Sequence, residues 1–259
     1  MAGARKNRDG QADDERPERT APRGSGNTRR ARLVIKEIGE AKLYLGDCKD
    51  ILPDLEMVDA VVTDPPFGVG NFVQITGILR GKGKNKGVKV KWNDLPPDKE
   101  IFKLINDKSK HRIIWGANFF NCFEEKGGAI IWDKQQFMPN FSKADIASCS
   151  HLQKTEMIRI KWPNSTFQHK PETDHPCERP VALYEWCIKY LPNPNTILDP
   201  FMGSGATGVA CINLGKKFIG IEKEKDFFEI ACKRISEAER QGNLLYPRRE
   251  NPKQLNMDL

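Results

Sequence analysis

The residues best suited to chemistry are those at positions 63–68, Thr-Asp-Pro-Pro-Phe-Gly. The apolar run 58–62 precedes them and predicts a buried strand, which two consecutive prolines then end. The resulting corner presents the Asp64 carboxylate, backbone carbonyls and the Phe67 ring where open α/β sheets bind their ligands. Acceptors beside a flat ring suit a planar group with an amino function, such as the edge of a nucleobase. A proline-rich turn with no chemical role is the alternative.

A second stretch suited to chemistry is the sequence 203–208, Gly-Ser-Gly-Ala-Thr-Gly, between a predicted strand and a predicted helix. It matches the dinucleotide pattern G-x-G-x-x-G, which is a weak signal alone. Its glycines allow a ligand to approach the backbone closely. Glu222 ends the next predicted strand, where a carboxylate accepts hydrogen bonds from both ribose hydroxyls. The sequence therefore predicts a ligand with an adenosine-like ribose.

Two kinds of cofactor fit that description. A hydride-transfer enzyme places a pyrophosphate on the helix N-terminus, whereas a methyltransferase places the methionine part of S-adenosylmethionine beside the turn. Asp199 ends the strand before the turn. This carboxylate favours the methyltransferase, because it repels a pyrophosphate and attracts a sulfonium and an ammonium group.

The elements that must position these residues alternate along the chain. Strands are predicted at 41–45, 58–62, 113–115, 129–132, 195–198 and 218–221, and helices at 117–123, 178–190, 206–214 and 226–240. This alternation predicts an α/β fold, a doubly wound, mostly parallel Rossmann-like sheet. The predicted domain spans 33–240, with a basic loop at 71–99 and an insertion with one or two strands at 133–170, the best candidate at 157–162. A disordered basic tail is predicted at 1–32 and a polar tail at 241–259.

Composition limits the class of protein. The 42 Lys and Arg exceed the 35 Asp and Glu, and a net charge of +7 fits a polyanionic partner without demanding one. No run is apolar enough to span a bilayer, and the polar N-terminus predicts no signal peptide. The seven cysteines are scattered and the four histidines lack ligand spacing. These features predict reduced thiols in a cytoplasmic protein and no metal site.

Four motifs together resemble those of the DNA amino-methyltransferases, which modify adenine N6 or cytosine N4. Asp64-Pro-Pro-Phe67 resembles the catalytic motif (D/N/S)-P-P-(Y/F/W), and residues 199–205 resemble the F-x-G-x-G cofactor motif. Residues 175–180 resemble the H-P-x-x-K-P element, and Gly46-Asp47 resembles the G-D before the catalytic strand. The circularly permuted order, catalytic motif first, is that of the beta group. Trp132-Asp133-Lys134 and the short length most resemble the solitary enzymes of phages and prophages.

The resemblance implies S-adenosylmethionine as the cofactor. It implies that Glu222 holds the ribose, that Asp47 accepts from the adenine amino group, and that Asp199 lies near the ammonium group. The segment from His175 to Pro180 closes over the methionine end, with Arg179 where the family commonly has lysine. The implied cofactor-binding residues are Asp47, His175, Arg179, Pro180, Asp199, Pro200, Phe201, Gly203, Gly205, Thr207 and Glu222.

The resemblance also implies the catalytic residues, which are Asp64, Pro65, Pro66 and Phe67. The Asp64 carboxylate and the Pro65 carbonyl accept the two hydrogens of the target amino group and localise its lone pair. Phe67 stacks on the base, which is flipped out of the duplex. The amino nitrogen then attacks the sulfonium methyl in line, without a covalent intermediate.

The implied substrate is adenine in double-stranded DNA, methylated at N6 in a bacterial or phage-infected cell. Cytosine N4 is the alternative. The enzymes that modify cytosine more often have serine in place of Asp64, so the aspartate favours adenine. Methylation of RNA or protein, an inactive DNA-binding module, and an NAD-dependent oxidoreductase, which would leave residues 64–67 idle, are further alternatives. A homodimer is compatible with any of them. The expected DNA contacts are Arg80, Lys82, Lys84 and Lys86 in the basic loop, for which a merely solvated loop is the alternative, and Lys134 in the insertion.

Overall fold

A computed structural model describes residues 33–68, 95–125, 127–137, 142–162 and 179–245. Within these ranges nine strands form one sheet in the order β1-β2-β9-β8-β3-β4-β6-β5-β7. The predicted tail 1–32 and the basic cluster at 80–91 lie outside the described residues. The strands are β1 Val34–Ile38, β2 Ala41–Leu45, β3 Val58–Thr63, β4 Ser109–Trp115, β5 Gly128–Asp133, β6 Ala144–Cys149, β7 Thr155–Arg159, β8 Thr196–Asp199 and β9 Lys217–Glu222.

Helices connect the strands and cover both faces of the sheet. In β3, Ala60 and Val62 belong to one apolar core and Val61 to the other, as expected for a strand buried on both sides. The first core lies under α4, α5 and α6, and the second under α1 and α2. The helices are α1 Cys48–Ile51, α2 Lys99–Asp107, α3 Ala117–Phe120, α4 Val181–Tyr190, α5 Ala206–Asn213 and α6 Lys225–Leu245.

The sheet is mostly parallel, which confirms the predicted α/β class. Strands β2, β9, β8, β3 and β4 pair in parallel in that order, whereas β6 runs antiparallel to both β4 and β5. From the adjacent pair β8 and β3, the chain proceeds outward in opposite directions, to β9 on one side and to β4 on the other. Such a reversal opens a crevice at the carboxyl ends of the two strands, where doubly wound sheets bind ligands. We call the junction of β8 and β3 the seam.

The described part of the predicted insertion at 133–170 contains two strands, β6 and β7, which belong to the central sheet. Strand β7, Thr155–Arg159, overlaps the strand predicted at 157–162. Periodicity did not reveal β6, because Asp145 and Ser148 interrupt its apolar residues. Residues 163–178 lie outside the described part of the chain.

Helix boundaries differ from the predictions for local reasons. The helix predicted at 117–123 ends at Phe120, because Asn121 adopts a left-handed φ of 51°. The helix predicted at 178–190 begins at Val181 after Pro180, which has no N–H to donate within a helix. The last helix continues to Leu245, past the predicted start of the polar tail. No helix in the described ranges is long and apolar enough to cross a membrane.

Candidate active site

Four neighbouring strand ends carry acidic side chains in a row along one edge of the sheet. Asp47 comes just after β2, Glu222 ends β9, Asp199 ends β8 and Asp64 follows β3. These four strands are parallel, so their carboxyl ends meet at the same edge. We call the part with β2, β9 and β8 the cofactor side, and the part with β3, β4, β6 and β5 the acceptor side.

The glycine turn of the cofactor side has a backbone that other residues adopt only with strain. Gly203 and Gly205 have φ values of 51° and 81°, in the left-handed region. A Cβ on Gly205 would also lie 2.9 Å from the Cβ of Ala231 in α6. The Gly203 N–H donates to Glu222 Oε2 at 2.9 Å, so the turn bends toward the end of β9. Glycine at 205 therefore allows the turn to pack closely against α6.

Asp199 is buried, and its oxygens accept three hydrogen bonds from within the protein. Thr63 Oγ1 donates to Oδ1 at 2.6 Å, Thr207 Oγ1 donates to Oδ2 at 2.7 Å, and the Phe201 N–H donates to Oδ1 at 3.1 Å. Burial raises the pKa of Asp199 to about 6, although these hydrogen bonds oppose the increase. The carboxyl thus joins β3, β8 and α5 at the seam, in addition to its implied place near the ammonium group of a cofactor.

Glu222 and Asp47 lie farther along the cofactor side. Glu222 Oε1 accepts from the Glu224 N–H at 2.8 Å, and burial raises the pKa of Glu222 to about 7. Asp47 caps the N-terminus of α1, because its side chain accepts from the Lys49 N–H at 3.0 Å. Its Oδ2 lies 3.3 Å from Lys223 Nζ. The Gly46 N–H donates to the Glu222 carbonyl at 2.9 Å, which holds the ends of β2 and β9 together.

On the acceptor side, Asp64 is paired with Arg179. Arg179 Nη2 donates to Asp64 Oδ1 at 2.6 Å, and its Nε donates to Oδ2. The arginine side chain is 6% exposed, whereas that of Asp64 is 23% exposed. Burial raises the pKa of Asp64 above its usual value, and Arg179 opposes this effect. Arg179 therefore contacts the predicted catalytic carboxylate, whereas the resemblance placed it at the methionine end of the cofactor.

The pair continues into a chain of charges across two further strands. Arg179 Nη1 lies 2.9 Å from Asp145 Oδ2 in β6, and Lys134 Nζ lies 2.7 Å from Asp145 Oδ1. The Lys134 side chain, just after β5, is 14% exposed. Lys134 thus has a carboxylate partner within the protein, and its phosphate contact stays a prediction. The four charges sum to zero.

Aromatic rings surround this chain of charges. The Arg179 guanidinium carbon lies 5.1 Å from the ring centroid of Trp115, 5.4 Å from that of Trp132 and 5.9 Å from that of Phe67. Phe67 stacks on Phe119, with centroids 4.8 Å apart and planes 15° apart, and Phe119 is 53% exposed. The centroids of three aromatic rings thus lie within 5.9 Å of the guanidinium carbon, and one of these rings, Phe67, also stacks on the exposed Phe119 ring.

Gly116 accommodates the ring of Phe67. It follows β4 with a φ of 76°, and a Cβ at this position would collide with the Phe67 ring. The aromatic residue of the catalytic motif therefore depends on a glycine from the neighbouring strand end.

The structure brings together most of the predicted site residues. The catalytic residues 64–67 and the cofactor turn 199–207 meet at the seam, with Pro180 at the start of α4. His175, Arg80, Lys82, Lys84 and Lys86 lie outside the described residues. Sequence reasoning missed three residues near Asp64 or Asp199, which are Trp115, Phe119 and Asp145, and it gave Thr63 no role of its own. Only Asp145, a charge within a strand, left a signal in the sequence. Among the described residues, no group of three or more His, Cys, Asp or Glu could hold a metal ion.

Comparison with known proteins supports one family. Residues 148–233 match the family model N6_N4_Mtase, described as DNA methylase. The chain is 47% identical over 151 residues to the Type II methyltransferase M2.DpnII of Streptococcus pneumoniae, covering 56% of each chain. It is 45% identical over 150 residues to the Type II methyltransferase M2.LlaDCHI of Lactococcus lactis subsp. cremoris, covering 56% of this chain and 55% of the relative. The aligned region thus spans about half the length of these two curated relatives.

A solved structure matches the fold. The PvuII DNA methyltransferase (cytosine-N4-specific) aligns with a TM-score of 0.53 and 16% identity, covering 79% of this chain and 93% of that chain. This likeness shows a Rossmann-like fold. The family model and the two relatives each match part of this chain.

Proposed function

We propose that this chain methylates the N6 amino group of adenine in double-stranded DNA, with S-adenosylmethionine as the methyl donor. The observation that carries the proposal is the seam, where Asp64-Pro-Pro-Phe67 and the glycine turn meet at adjacent strand ends. We further propose that it belongs to the permuted beta group and resembles the solitary enzymes of phages. An oxidoreductase that binds NAD would leave the acceptor side without a use.

The residues of the cofactor side fit an adenosyl ligand with a positively charged methionine end. Gly203 and Gly205 give the turn its left-handed backbone, and Glu222 ends the next strand, where a carboxylate can accept from ribose hydroxyls. Asp47, beside it, accepts from the adenine amino group in this proposal. When bound, S-adenosylmethionine supplies the methyl group that the target nitrogen receives.

On the acceptor side, Asp64 and the Pro65 carbonyl orient the target. The nitrogen of an exocyclic amino group is a poor nucleophile, because its lone pair is delocalised into the ring. Asp64 and Pro65 accept its two hydrogens, which draws the nitrogen toward tetrahedral geometry and localises the lone pair. Phe67 provides a face for the flipped base, a contact worth about 1–3 kcal/mol for a base on an aromatic ring.

The choice of adenine rests on Asp64. Enzymes that modify adenine usually carry aspartate at this position, and a carboxylate accepts hydrogen bonds more strongly than a hydroxyl does. Cytosine N4 is the second candidate, and the match to a cytosine-N4-specific enzyme keeps it in view. In this proposal Arg80, Lys82, Lys84 and Lys86 contact DNA phosphates, which position the duplex without specifying its sequence.

The product decides between these candidates. The purified chain is incubated with genomic DNA and S-adenosylmethionine, the DNA is digested to nucleosides, and the methylated base is identified by mass spectrometry. We expect N6-methyladenine, and we expect none with the Asp64→Ala variant as the control. N4-methylcytosine alone would overturn the adenine assignment. Methylation of RNA only, or of neither nucleic acid, would overturn the DNA assignment as well.

A further inference from the structure

We infer that Arg179 is a positioning residue for methyl transfer: it keeps the Asp64 carboxylate ionised and in one orientation, and Asp145 in turn fixes Arg179. The inference rests on the proposed function, in which Asp64 accepts a hydrogen from the target amino group. In this inference Arg179 acts on the Asp64 carboxylate and does not contact the cofactor.

Geometry is the first argument. Arg179 has three nitrogens close to two carboxylates: Nε and Nη2 donate to Asp64, and Nη1 lies 2.9 Å from Asp145 Oδ2 as an ion pair. A guanidinium presents its donors in a rigid planar fork, whereas a lysine ammonium is a point charge on a flexible stem. A lysine at position 179 could not hold both oxygens of Asp64 in one plane and also reach Asp145. The arginine is therefore suited to fixing the plane of the Asp64 carboxylate.

The pairing leaves Asp64 able to accept from a substrate. An ionised carboxylate has about four lone-pair sites, and a forked arginine uses one on each oxygen. The Asp64 side chain remains 23% exposed although Arg179 is almost fully buried. The exposed part of the Asp64 side chain is the part that Arg179 does not cover. An amino group can approach there without displacing the arginine.

The charges around Asp64 give the second argument. Burial and Asp145 disfavour its ionised form, whereas Arg179 and Lys134 favour it. Asp199 and Tyr184 also interact with Asp64, which raises the pKa of each of them. A protonated Asp64 would present a donor to a group that needs an acceptor. Burial alone would lower the pKa of Arg179, but Asp64 and Asp145 raise it, so the guanidinium stays charged. Arg179 is thus the group that opposes protonation of Asp64.

The two roles for Arg179 make different predictions. If it closes over the methionine end of the cofactor, its replacement weakens cofactor binding. If it positions Asp64, its replacement lowers the rate of transfer and leaves cofactor binding unchanged. Replacement by lysine keeps the charge and loses the fork, whereas replacement by methionine loses both.

The experiment compares the full chain with Arg179→Lys, Arg179→Met and a matched control, Arg112→Lys. Arg112 is also a largely buried arginine in an ion pair, because its Nε lies 2.7 Å from Glu124 Oε1. It pairs in register with Val61, before the carboxyl end of β3. The dissociation constant of S-adenosylhomocysteine is measured by calorimetry. The single-turnover rate of DNA methylation at saturating cofactor is measured across pH 5 to 9, because it separates chemistry from binding.

We expect Arg179→Met to lower the single-turnover rate by about a hundredfold, a loss that a misplaced catalytic group commonly causes. Its acid limb should move to higher pH, because Arg179 is the main group that opposes protonation of Asp64, ahead of Lys134. Arg179→Lys should lower the rate less and move the acid limb little. Neither variant should change the affinity for S-adenosylhomocysteine, and Arg112→Lys should behave as the wild type does.

A weakened affinity for S-adenosylhomocysteine with an unchanged transfer rate would overturn the inference. So would an unchanged rate and pH profile in both Arg179 variants. If Arg179→Met does not fold, Asp145→Asn tests the carboxylate on the other side of Arg179. It should likewise lower the transfer rate and leave the affinity for S-adenosylhomocysteine unchanged. Wild-type chain that binds S-adenosylhomocysteine but methylates no DNA would overturn the proposed function instead.

Discussion

The two sides of the active-site edge hold their carboxylates in different ways. On the cofactor side, Asp199 and Glu222 accept from hydroxyls and backbone N–H groups. On the acceptor side, Asp64 and Asp145 face the cations Arg179 and Lys134. Neutral donors oppose the effect of burial only in part, so the pKa values of Asp199 and Glu222 rise to about 6 and about 7. The cofactor side is therefore sensitive to pH near neutrality, whereas the acceptor side depends on its ion pairs.

The largest expected effect follows removal of the acceptor. Asp64→Ala should lower the rate of methyl transfer by about a hundred- to a thousandfold, as is typical when one preorganised partner of a developing charge is lost. Its affinity for S-adenosylhomocysteine should match that of the wild type, because Asp64 lies on the other side of the seam. Single-turnover assays and calorimetry measure the two quantities. Transfer at a rate near that of the wild type would remove Asp64 from the mechanism.

The converse change is made on the cofactor side. Glu222→Ala should weaken S-adenosylmethionine binding at least about tenfold, because charge-assisted hydrogen bonds contribute about 1.5–3 kcal/mol. Glu222→Gln retains one acceptor oxygen and should lose less. Calorimetric titration gives both affinities. Equal affinities for the wild type and the alanine variant would exclude a ribose contact.

The pH dependence of cofactor binding sharpens the comparison further. Binding to ribose hydroxyls favours the ionised form of Glu222, whose pKa in the free protein is about 7. Affinity for S-adenosylhomocysteine should therefore be constant above pH 8 and fall as pH drops through 7, by up to about tenfold per pH unit. In Glu222→Gln this dependence should disappear. A wild-type affinity that does not vary between pH 6 and 8 would contradict the assignment.

The smallest expected effect concerns the seam itself. Thr63→Val removes a donor to Asp199 and should lower the free energy of unfolding at pH 8 by about 1.5–3 kcal/mol. The pKa of Asp199 is raised in the folded state, so the folded protein favours its protonated form. The stability loss should accordingly be greater at pH 8 than at pH 5, where Asp199 is largely protonated. Urea denaturation at both pH values measures it, with the exposed Thr155→Val as the control.

The difference between the two sides also explains what the sequence could predict. The cofactor turn lies within nine consecutive residues, 199–207, and its glycines have backbone conformations that their residue type favours. The acceptor side joins Asp64 to Arg179 across 115 positions in the chain, and Asp145 and Lys134 come from two further strands. No local pattern links such residues. Their arrangement became apparent only once β6 was found between β4 and β5.

Lys134 illustrates the same point. A lysine in a polar stretch of a basic chain fits a phosphate contact, and the sequence alone favours that interpretation. The structure instead gives it Asp145 as a partner, and the Trp132 and Trp162 rings lie 5.4 Å and 5.6 Å from its ammonium group. The sequence shows a lysine at this position, but its partner Asp145 lies in a neighbouring strand and is known only from the order of strands in the sheet.

The contact between Gly116 and Phe67 limits which residues this site can accept during evolution. Because a side chain at 116 would occupy the place of the Phe67 ring, a mutation at either position alters which residues the other accepts. The two positions should therefore vary together among descendants of this protein. In a library that randomises the catalytic motif, variants with a larger aromatic at 67 should be recovered only with glycine retained at 116. Gly116 should therefore be conserved together with the four residues 64–67, although it is distant from them in the sequence.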